Sequence, residues 1–160
     1  MNRLLKANFK QYSGGSWNHS DMDYTSWMGA TGEDDRTAYD LNGNIKRMVH
    51  KGFKVGTPDA LIDDLQYEYF ANTNKLKKVT DLVVANNNLG DFYDQHQGGD
   101  DYGYDVNGNM ITDRNKRLLG NVLAPYGTGI DVSSFNQGSI HYNHMNLPQS
   151  ILVRPGVNGA

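Results

Sequence analysis

The sequence contains no cysteine, only 4 prolines in 160 residues, and no large excess of either charge. The absence of cysteine excludes disulfides, thiolate nucleophiles and cysteine metal ligands. The net charge is −3 and the basic residues form no stripe, so we expect no nucleic-acid partner. No hydrophobic run approaches the length of a membrane span, and the first residues lack the apolar stretch of a signal peptide. We therefore expect no membrane span in this chain.

Glycine and tyrosine are abundant, at 18 and 10 residues. Glycine supplies the positive φ angles of tight turns, and tyrosine suits half-buried strands because its ring packs on a sheet while its hydroxyl stays hydrated. No stretch has the apolar periodicity of a convincing amphipathic helix. This composition favours an all-β fold with many turns.

A short phrase occurs twice, as Tyr-Asp-Leu-Asn-Gly-Asn-Ile and as Tyr-Asp-Val-Asn-Gly-Asn-Met. Asn-Gly between strand-forming residues is a strong hairpin signal, because both residues tolerate positive φ. Each copy therefore predicts a strand, a tight turn and a strand. The residues predicted to define these turns are Tyr39, Asp40, Gly43, Asn44, Tyr104, Asp105, Gly108 and Asn109.

The rest of the chain predicts further antiparallel hairpins, with residues 1–153 as one β-sheet segment and 154–160 as a flexible tail. Strands are expected over 3–12 and 23–28. The predicted hairpins pair 36–40 with 45–50, 64–70 with 75–81, 101–105 with 110–113, and 139–143 with 149–153. The predicted loops are 13–22, 29–35, 86–100 and the glycine-rich 120–129, with a candidate short helix at 89–96.

The doubled phrase resembles the signature of the YD-repeat, or Rhs-repeat, proteins of bacteria, a Tyr-Asp-x-x-Gly-Asn core followed by a strand. Other phrases resemble the variant common in Bacteroidetes-type bacteria, and together they extend the resemblance over nearly the whole chain. Two copies depart from the pattern: Tyr69 precedes a longer turn, and Tyr142 is followed by Asn143 in a turn without glycine. The further phrases lie at 2–7, 62–69, 74–81 and 142–148.

The resemblance implies repeated antiparallel hairpins wound into a curved sheet, which in full-length relatives forms a hollow shell around a C-terminal cargo, commonly a toxin. It also implies a secreted or cell-surface location, and related proteins act in adhesion and carbohydrate binding. Nothing near the C-terminus resembles the self-cleaving aspartyl segment of that family. We therefore expect a non-catalytic segment of shell wall, with the rest of a larger polypeptide or its cargo as partner. Unpaired strand edges at its ends predict self-association.

Catalytic and metal sites find little support in the residue pattern. The Asp-x-Asn-Gly-Asn loops are not EF-hands, because glycine arrives too early and Lys51 and Lys116 stand where glutamate is needed. His141 and His144 lack an obvious third ligand. The acidic pairs at 34–35, 63–64 and 100–101 are expected in solvated loops, although a glycosidase carboxylate pair among them stays open. We expect no enzyme activity, no cofactor and no metal, and we expect the lysines at 75–78 on a solvated strand face.

Aromatic residues near the N-terminus are the main binding candidates. Trp17, Tyr24 and Trp27 lie close in sequence, with Tyr12 nearby. Aromatic rings beside asparagine and aspartate suit a carbohydrate platform, and such a surface would make the chain a binding module for carbohydrate or for a protein partner. The alternative is that these rings pack on the sheet, as aromatics in β-rich chains usually do.

Overall fold

The computed structural model describes residues 3–19, 21–54, 57–83, 90, 92–96, 98–118 and 139–152. Almost all of the regular structure in these residues is β-strand, which confirms the all-β prediction. In chain order the elements are β1 Lys6–Ala7, β2 Gln11–Ser13, β3 Ser16–Asn18, β4 Ser26–Met28, α1 Asp35–Ala38, β5 Arg47–Lys54, β6 Thr57–Tyr69, β7 Leu76–Asp81, β8 Tyr102–Tyr104, β9 Met110–Asp113, β10 Ile140–Tyr142 and β11 Pro148–Ile151.

One five-stranded sheet has the order β1-β4-β5-β6-β7, and three two-stranded sheets pair β2 with β3, β8 with β9, and β10 with β11. The pairings of β1 with β4, β4 with β5 and β5 with β6 are antiparallel, as are the three small sheets. No helix in the described part of the chain is long and apolar enough to cross a membrane.

The chain divides into two compact units, the first comprising residues 1–68 and 79–94 and the second 69–78 and 95–160. Each unit buries its own small set of apolar side chains. In the first unit these are Ala38, Val49, Ile62, Leu65 and Val79, and in the second Ile111, Leu118 and Ile140.

The pairing of β5 with β6 contains a register shift next to Ile62, the largest fully buried side chain among the described residues. His50 faces Asp63 but Lys51 faces Leu61, so Ile62 is the extra residue of a bulge. Its side chain is 1% exposed and packs against Gly52. A Cβ at Gly52 would collide with the Cδ1 atom of Ile62, so only glycine leaves room for this packing.

The N-terminal third differs from the sequence prediction in three places. The strand expected over 3–12 is interrupted and forms β1 and β2, and the loop expected over 13–22 contains β3, which pairs back on β2. The strand expected over 36–40 is wrong, because α1 forms there with the Asp34 side chain capping the backbone N–H of Arg36 at 2.9 Å. Consequently β5 pairs with β4 and β6, and the two sides of the first turn are joined by the Tyr39–Ile45 bridge and by the flanking backbone hydrogen bonds, one of them from Lys46 N to Ala38 O, without forming a strand pair.

The later hairpins were predicted correctly. The strands β8 and β9 pair across the second Tyr-Asp turn, and β10 pairs with β11. Residues 92–96 are not helical, whereas the remainder of the candidate helix at 89–96 falls largely outside the described residues. The loop at 120–129, the tail at 154–160 and the end of the last hairpin at Val153 also lie outside them.

Candidate functional site

The first Tyr-Asp turn is closed by the carboxylate of Asp40. The backbone N–H of Asn44 donates to Asp40 Oδ1 at 2.8 Å, and the Asn44 side-chain amide donates to Oδ2 at 2.8 Å. The backbone adds hydrogen bonds from Asp40 N to Asn44 O and from Gly43 N to Asp40 O. Gly43 has a φ of 92°, which a β-branched residue would adopt only with strain. One carboxylate and one glycine thus set the chain reversal.

These contacts also control the ionisation of Asp40. Desolvation raises its pKa, but hydrogen bonds from the Asn44 side chain and from backbone N–H groups of the turn outweigh this effect. The pKa of Asp40 therefore lies below its ordinary value, and the carboxylate stays charged as an acceptor within the turn.

The second turn repeats the first. Asn109 donates its backbone N–H to Asp105 Oδ1 at 2.8 Å and its amide to Oδ2 at 2.9 Å. Gly108 has a φ of 88° and donates its N–H to the Asp105 carbonyl. The matching phrases therefore encode matching turns.

The turn after Tyr142 keeps this plan although it has no glycine. The Asn143 side-chain oxygen accepts the backbone N–H groups of Met145 and Leu147 at 2.9 and 3.1 Å. Asn146 takes the glycine position with a φ of 59°, which asparagine tolerates better than most residues. The sequence marks this copy as a departure, yet its backbone hydrogen bonds and the bond from Leu147 N to the Asn143 side chain match those of the other two turns.

The turn after Tyr69 is wider. Phe70 donates its N–H to the carbonyl of Lys75, and Thr73 donates its N–H to the carbonyl of Phe70. Asn72, with a φ of 59°, supplies the positive-φ residue. The longer turn predicted at this copy is therefore present.

Each of three turns contacts an earlier segment of the chain in an arrangement that we call a junction. A junction consists of one side chain of that earlier segment, the tyrosine before the turn, and the residue at the turn's glycine position. In the first, the Arg3 guanidinium lies 5.1 Å from the centre of the Tyr39 ring. The Tyr39 hydroxyl donates to the Leu4 carbonyl. A Cβ at Gly43 would lie 3.5 Å from Arg3 Nη2, so the arginine also lies against the turn.

The second junction has the same parts. Lys75 Nζ lies 5.5 Å from the centre of the Tyr104 ring, and its Cε atom would lie 3.5 Å from a Cβ at Gly108. Burial raises the pKa of the Tyr104 hydroxyl, which is hydrogen-bonded to the backbone of Leu76. The sequence-based placement of Lys75 on a solvated face is therefore wrong, because this side chain is half-buried on tyrosine.

In the third junction an amide stands where the first two junctions have a cation. Tyr142 donates its hydroxyl to the Met110 carbonyl at 2.8 Å, as Tyr39 does to Leu4. Asn109 stands in the place of Arg3 and Lys75, and its amide donates to Asn146 Oδ1 at 3.0 Å. A tyrosine is present in all three junctions, whereas the pair of residues beside it changes.

The predicted aromatic platform is not a single surface. Trp17, 67% exposed, packs edge-on against exposed Tyr12, with ring centres 5.7 Å apart, at the tip of the β2–β3 hairpin. Tyr24 instead packs edge-on against Phe9 at 5.3 Å. The structure therefore places Trp17 and Tyr24 in different aromatic pairs, and it places Trp27 in the wall of a cavity.

This cavity has a volume of about 460 Å³, within the range of small-molecule sites. Trp27 is paired across the sheet with Lys6 on β1, so both side chains lie on one face. Lys51 of β5 and Asp23, in the segment before β4, complete the charged part of the lining.

Asp23 is almost fully buried at the cavity edge. Its Oδ1 atom accepts the backbone N–H of Thr25 at 2.8 Å, and its Oδ2 atom lies 3.1 Å from Lys51 Nζ. Burial alone would raise the pKa of Asp23, but the hydrogen bonds from Thr25 and Lys51 reverse this and lower it to about 2. The carboxylate is therefore charged and is hydrogen-bonded to Thr25 and ion-paired with Lys51.

The carboxylates expected in solvated loops at 63–64 and 101 are buried. Asp64 forms a two-pronged ion pair with Arg47, at 2.6 and 2.7 Å, which raises the pKa of the arginine. Asp63 accepts the backbone N–H of Phe92 at 2.7 Å. These carboxylates hold backbone and side-chain donors within the first unit.

Asp101, with no exposed surface, belongs to a buried polar chain in the second unit. Arg114 Nη1 lies 3.0 Å from His96 Nε2, and His96 Nδ1 lies 3.0 Å from Asp101 Oδ1. Because a guanidinium has only donors, Nε2 must accept and Nδ1–H must donate to Asp101. In the sequence, the only sign of this buried row of hydrogen-bonded side chains was a single histidine, His96, near the acidic pair at 100–101.

Comparisons of the chain with protein-family models, with curated proteins and with solved structures give no match. Among the described residues, no three histidine, aspartate or glutamate side chains gather where they could hold a metal ion.

We predict that Gly43→Val lowers the free energy of unfolding by about 1–3 kcal/mol, because valine at positive φ is strained. Gly43→Asn should cost clearly less, since Asn146 occupies the same turn position with a φ of 59°. Thermal unfolding of both variants measures the difference. Equal melting temperatures for the two variants would contradict this role of Gly43.

We predict that Asp23→Asn destabilises the protein at neutral pH by about 2 kcal/mol, the value of a pKa lowered from 3.8 to about 2. Because the folded-state pKa is depressed, this contribution is complete above the unfolded pKa and disappears as the pH falls toward 2. Urea unfolding from pH 7 to pH 2 tests it. The exposed neighbour Asp21 is the matched control, and an equal, pH-independent loss in Asp21→Asn would refute the assignment.

Proposed function

We propose that this chain is a wall segment of a larger bacterial YD-repeat, or Rhs-repeat, protein, exported or displayed at the cell surface. Its role is structural and not catalytic: its hairpins continue into a curved sheet that encloses or displays a polypeptide cargo such as a toxin. The tyrosine junction is the observation that carries the proposal: it is made three times, and in two of them the tyrosine hydroxyl donates to a backbone carbonyl earlier in the chain.

The junction supports a repeat architecture because each turn is completed by residues that lie earlier in the chain. Tyr39 needs Leu4 and Tyr142 needs Met110, so neither hairpin satisfies its tyrosine alone. Proteins of this kind gain stability from contacts between neighbouring repeats and extend by adding more of them. The right-handed twist between adjacent strands then supplies the curvature of the wall.

The coding sequence on both sides of this segment tests the proposal first. We expect further Tyr-Asp-x-x-Gly-Asn repeats, leading to a core segment and a toxin-like tail. A start codon at Met1 together with a stop codon after Ala160 would overturn it.

Protease protection tests enclosure in the full-length polypeptide. The cargo should resist digestion in the unaltered protein and become sensitive when Gly43 and Gly108 are both replaced by valine. The same positions changed to asparagine are the matched control and should keep the cargo protected. Cargo that is digested equally in all three proteins would exclude enclosure.

A second candidate function is a surface-binding module for carbohydrate or a protein partner. Tyr12 and Trp17 favour it, because two exposed aromatic rings packed against each other at a hairpin tip present apolar area to solvent.

A carbohydrate array tests this candidate. We expect binding that is lost in Trp17→Ala and retained in Tyr93→Ala, which removes a comparably exposed ring elsewhere. Signal at background, or equal signal in the two variants, would remove carbohydrate binding at this hairpin.

A further inference from the structure

The two Tyr-Asp turns contain a dipeptide that can react with itself. Asparagine is followed by glycine at 42–43 and 107–108, and again at 158–159, which lies outside the described residues. In an Asn-Gly pair the glycine nitrogen can attack the side-chain carbonyl carbon of the asparagine, because glycine has no Cβ to obstruct the approach. Asn42 and Asn107 are both exposed, so water reaches both side chains.

The backbone restrains this attack to a similar degree in the two turns. Gly43 N donates to the Asp40 carbonyl at 3.1 Å, and Gly108 N donates to the Asp105 carbonyl at 3.0 Å. Each bond engages the N–H whose proton must leave before the nitrogen can attack. The two glycines also have nearly the same φ, 92° and 88°. The turns by themselves therefore give the two dipeptides similar reactivity.

The side chains of the two asparagines differ in their contacts. Asn107 Nδ2 donates to Asn146 Oδ1 at 3.4 Å, so the third turn restrains the amide that must rotate toward Gly108. Within the described part of the chain, the side-chain amide of Asn42 has no hydrogen-bond partner. A hydrogen bond that must break before a reaction slows it by about two- to tenfold. The contact with Asn146 therefore protects one dipeptide and not the other.

We infer that Asn42 is a site of spontaneous deamidation and that Asn146 protects Asn107 from the same reaction. The Gly43 nitrogen loses its proton to solvent and bonds to Asn42 Cγ, the Cγ–Nδ2 bond breaks, and ammonia leaves with a proton taken up from solvent. Water then opens the cyclic imide at either carbonyl, which yields aspartate or isoaspartate at position 42 and adds one negative charge. This modification goes beyond the proposed wall function and does not depend on it.

The isoaspartate product alters the first turn itself. In this product the backbone runs through the former side chain, which adds one methylene group between position 42 and Gly43. The added length falls inside the reversal that Asp40 and Asn44 close, next to the glycine that lies against Arg3. Isoaspartate formation therefore loosens the first junction and leaves the second intact.

Incubation in water enriched in heavy oxygen, followed by peptide mapping with mass spectrometry, measures the rate at each site. In the folded protein Asn42 should deamidate about two- to tenfold faster than Asn107. In urea the two rates should become nearly equal, because the dipeptides are identical and the contact with Asn146 is lost. Equal rates in the folded protein, a faster rate at Asn107, or the same ratio in urea would overturn the inference.

Variants of Asn146 test the protection directly. Asn146→Gly removes the acceptor and suits the φ of 59° at this position, so it should raise the Asn107 rate to that of Asn42 and leave the Asn42 rate unchanged. Asn146→Asp keeps an acceptor and should keep Asn107 slow. Asn72→Gly makes the same exchange at the same φ in another turn and should change neither rate. Equal effects of Asn146→Gly and Asn72→Gly would exclude protection by Asn146.

Thermal unfolding tests the consequence for the first junction. The deamidated protein, separated by its added negative charge, should melt at a lower temperature than Asn42→Asp, which carries the same charge on an unaltered backbone. Identical melting temperatures would show that isoaspartate does not loosen the junction.

Discussion

The acceptor side chain inside each turn is the constraint on which the other contacts depend. The carboxylates of Asp40 and Asp105 each accept a backbone N–H from the residue four positions later, so the chain reverses at a fixed residue. This reversal fixes the position of the tyrosine that comes just before the turn. From this position the Tyr39 hydroxyl reaches the Leu4 carbonyl, and the rings of Tyr39 and Tyr104 lie against Arg3 and Lys75. A local hydrogen bond thus determines a contact made far along the sequence.

The turns could be predicted from the sequence because their determinants are local. Asp40, Gly43 and their counterparts lie within one short phrase, and the phrase has the same geometry in both places. The strands beside the first turn could not be predicted in this way. Their pairing depends on partners distant in sequence, since β5 joins β4 and β6, while the capping side chain of Asp34 favours a helical turn just before Tyr39. Local β-propensity is weaker than these combined effects.

The sequence predicted which aromatic residues belong to the candidate sites, but it did not predict how the fold places them relative to one another. Trp17 and Trp27 are close in sequence, yet one lies at a hairpin tip and the other faces a cavity, because the Gly14–Gly15 turn folds β3 back onto β2. The buried carboxylates were missed for a related reason. An aspartate pair has the same appearance in sequence whether it is solvated or buried, and only the arrival of Arg47 or His96 from another segment makes its burial tolerable.

The third junction shows which groups change together. Where the turn has glycine, its bare backbone lies against a long cation, Arg3 or Lys75. Where Asn146 stands at the glycine position, its amide oxygen accepts from the amide of Asn109, which takes the position of the cation. A lysine there would lie against a side chain instead of a bare backbone. The residue at the glycine position and the residue opposite it therefore both differ in the third junction, while the tyrosine beside them is kept.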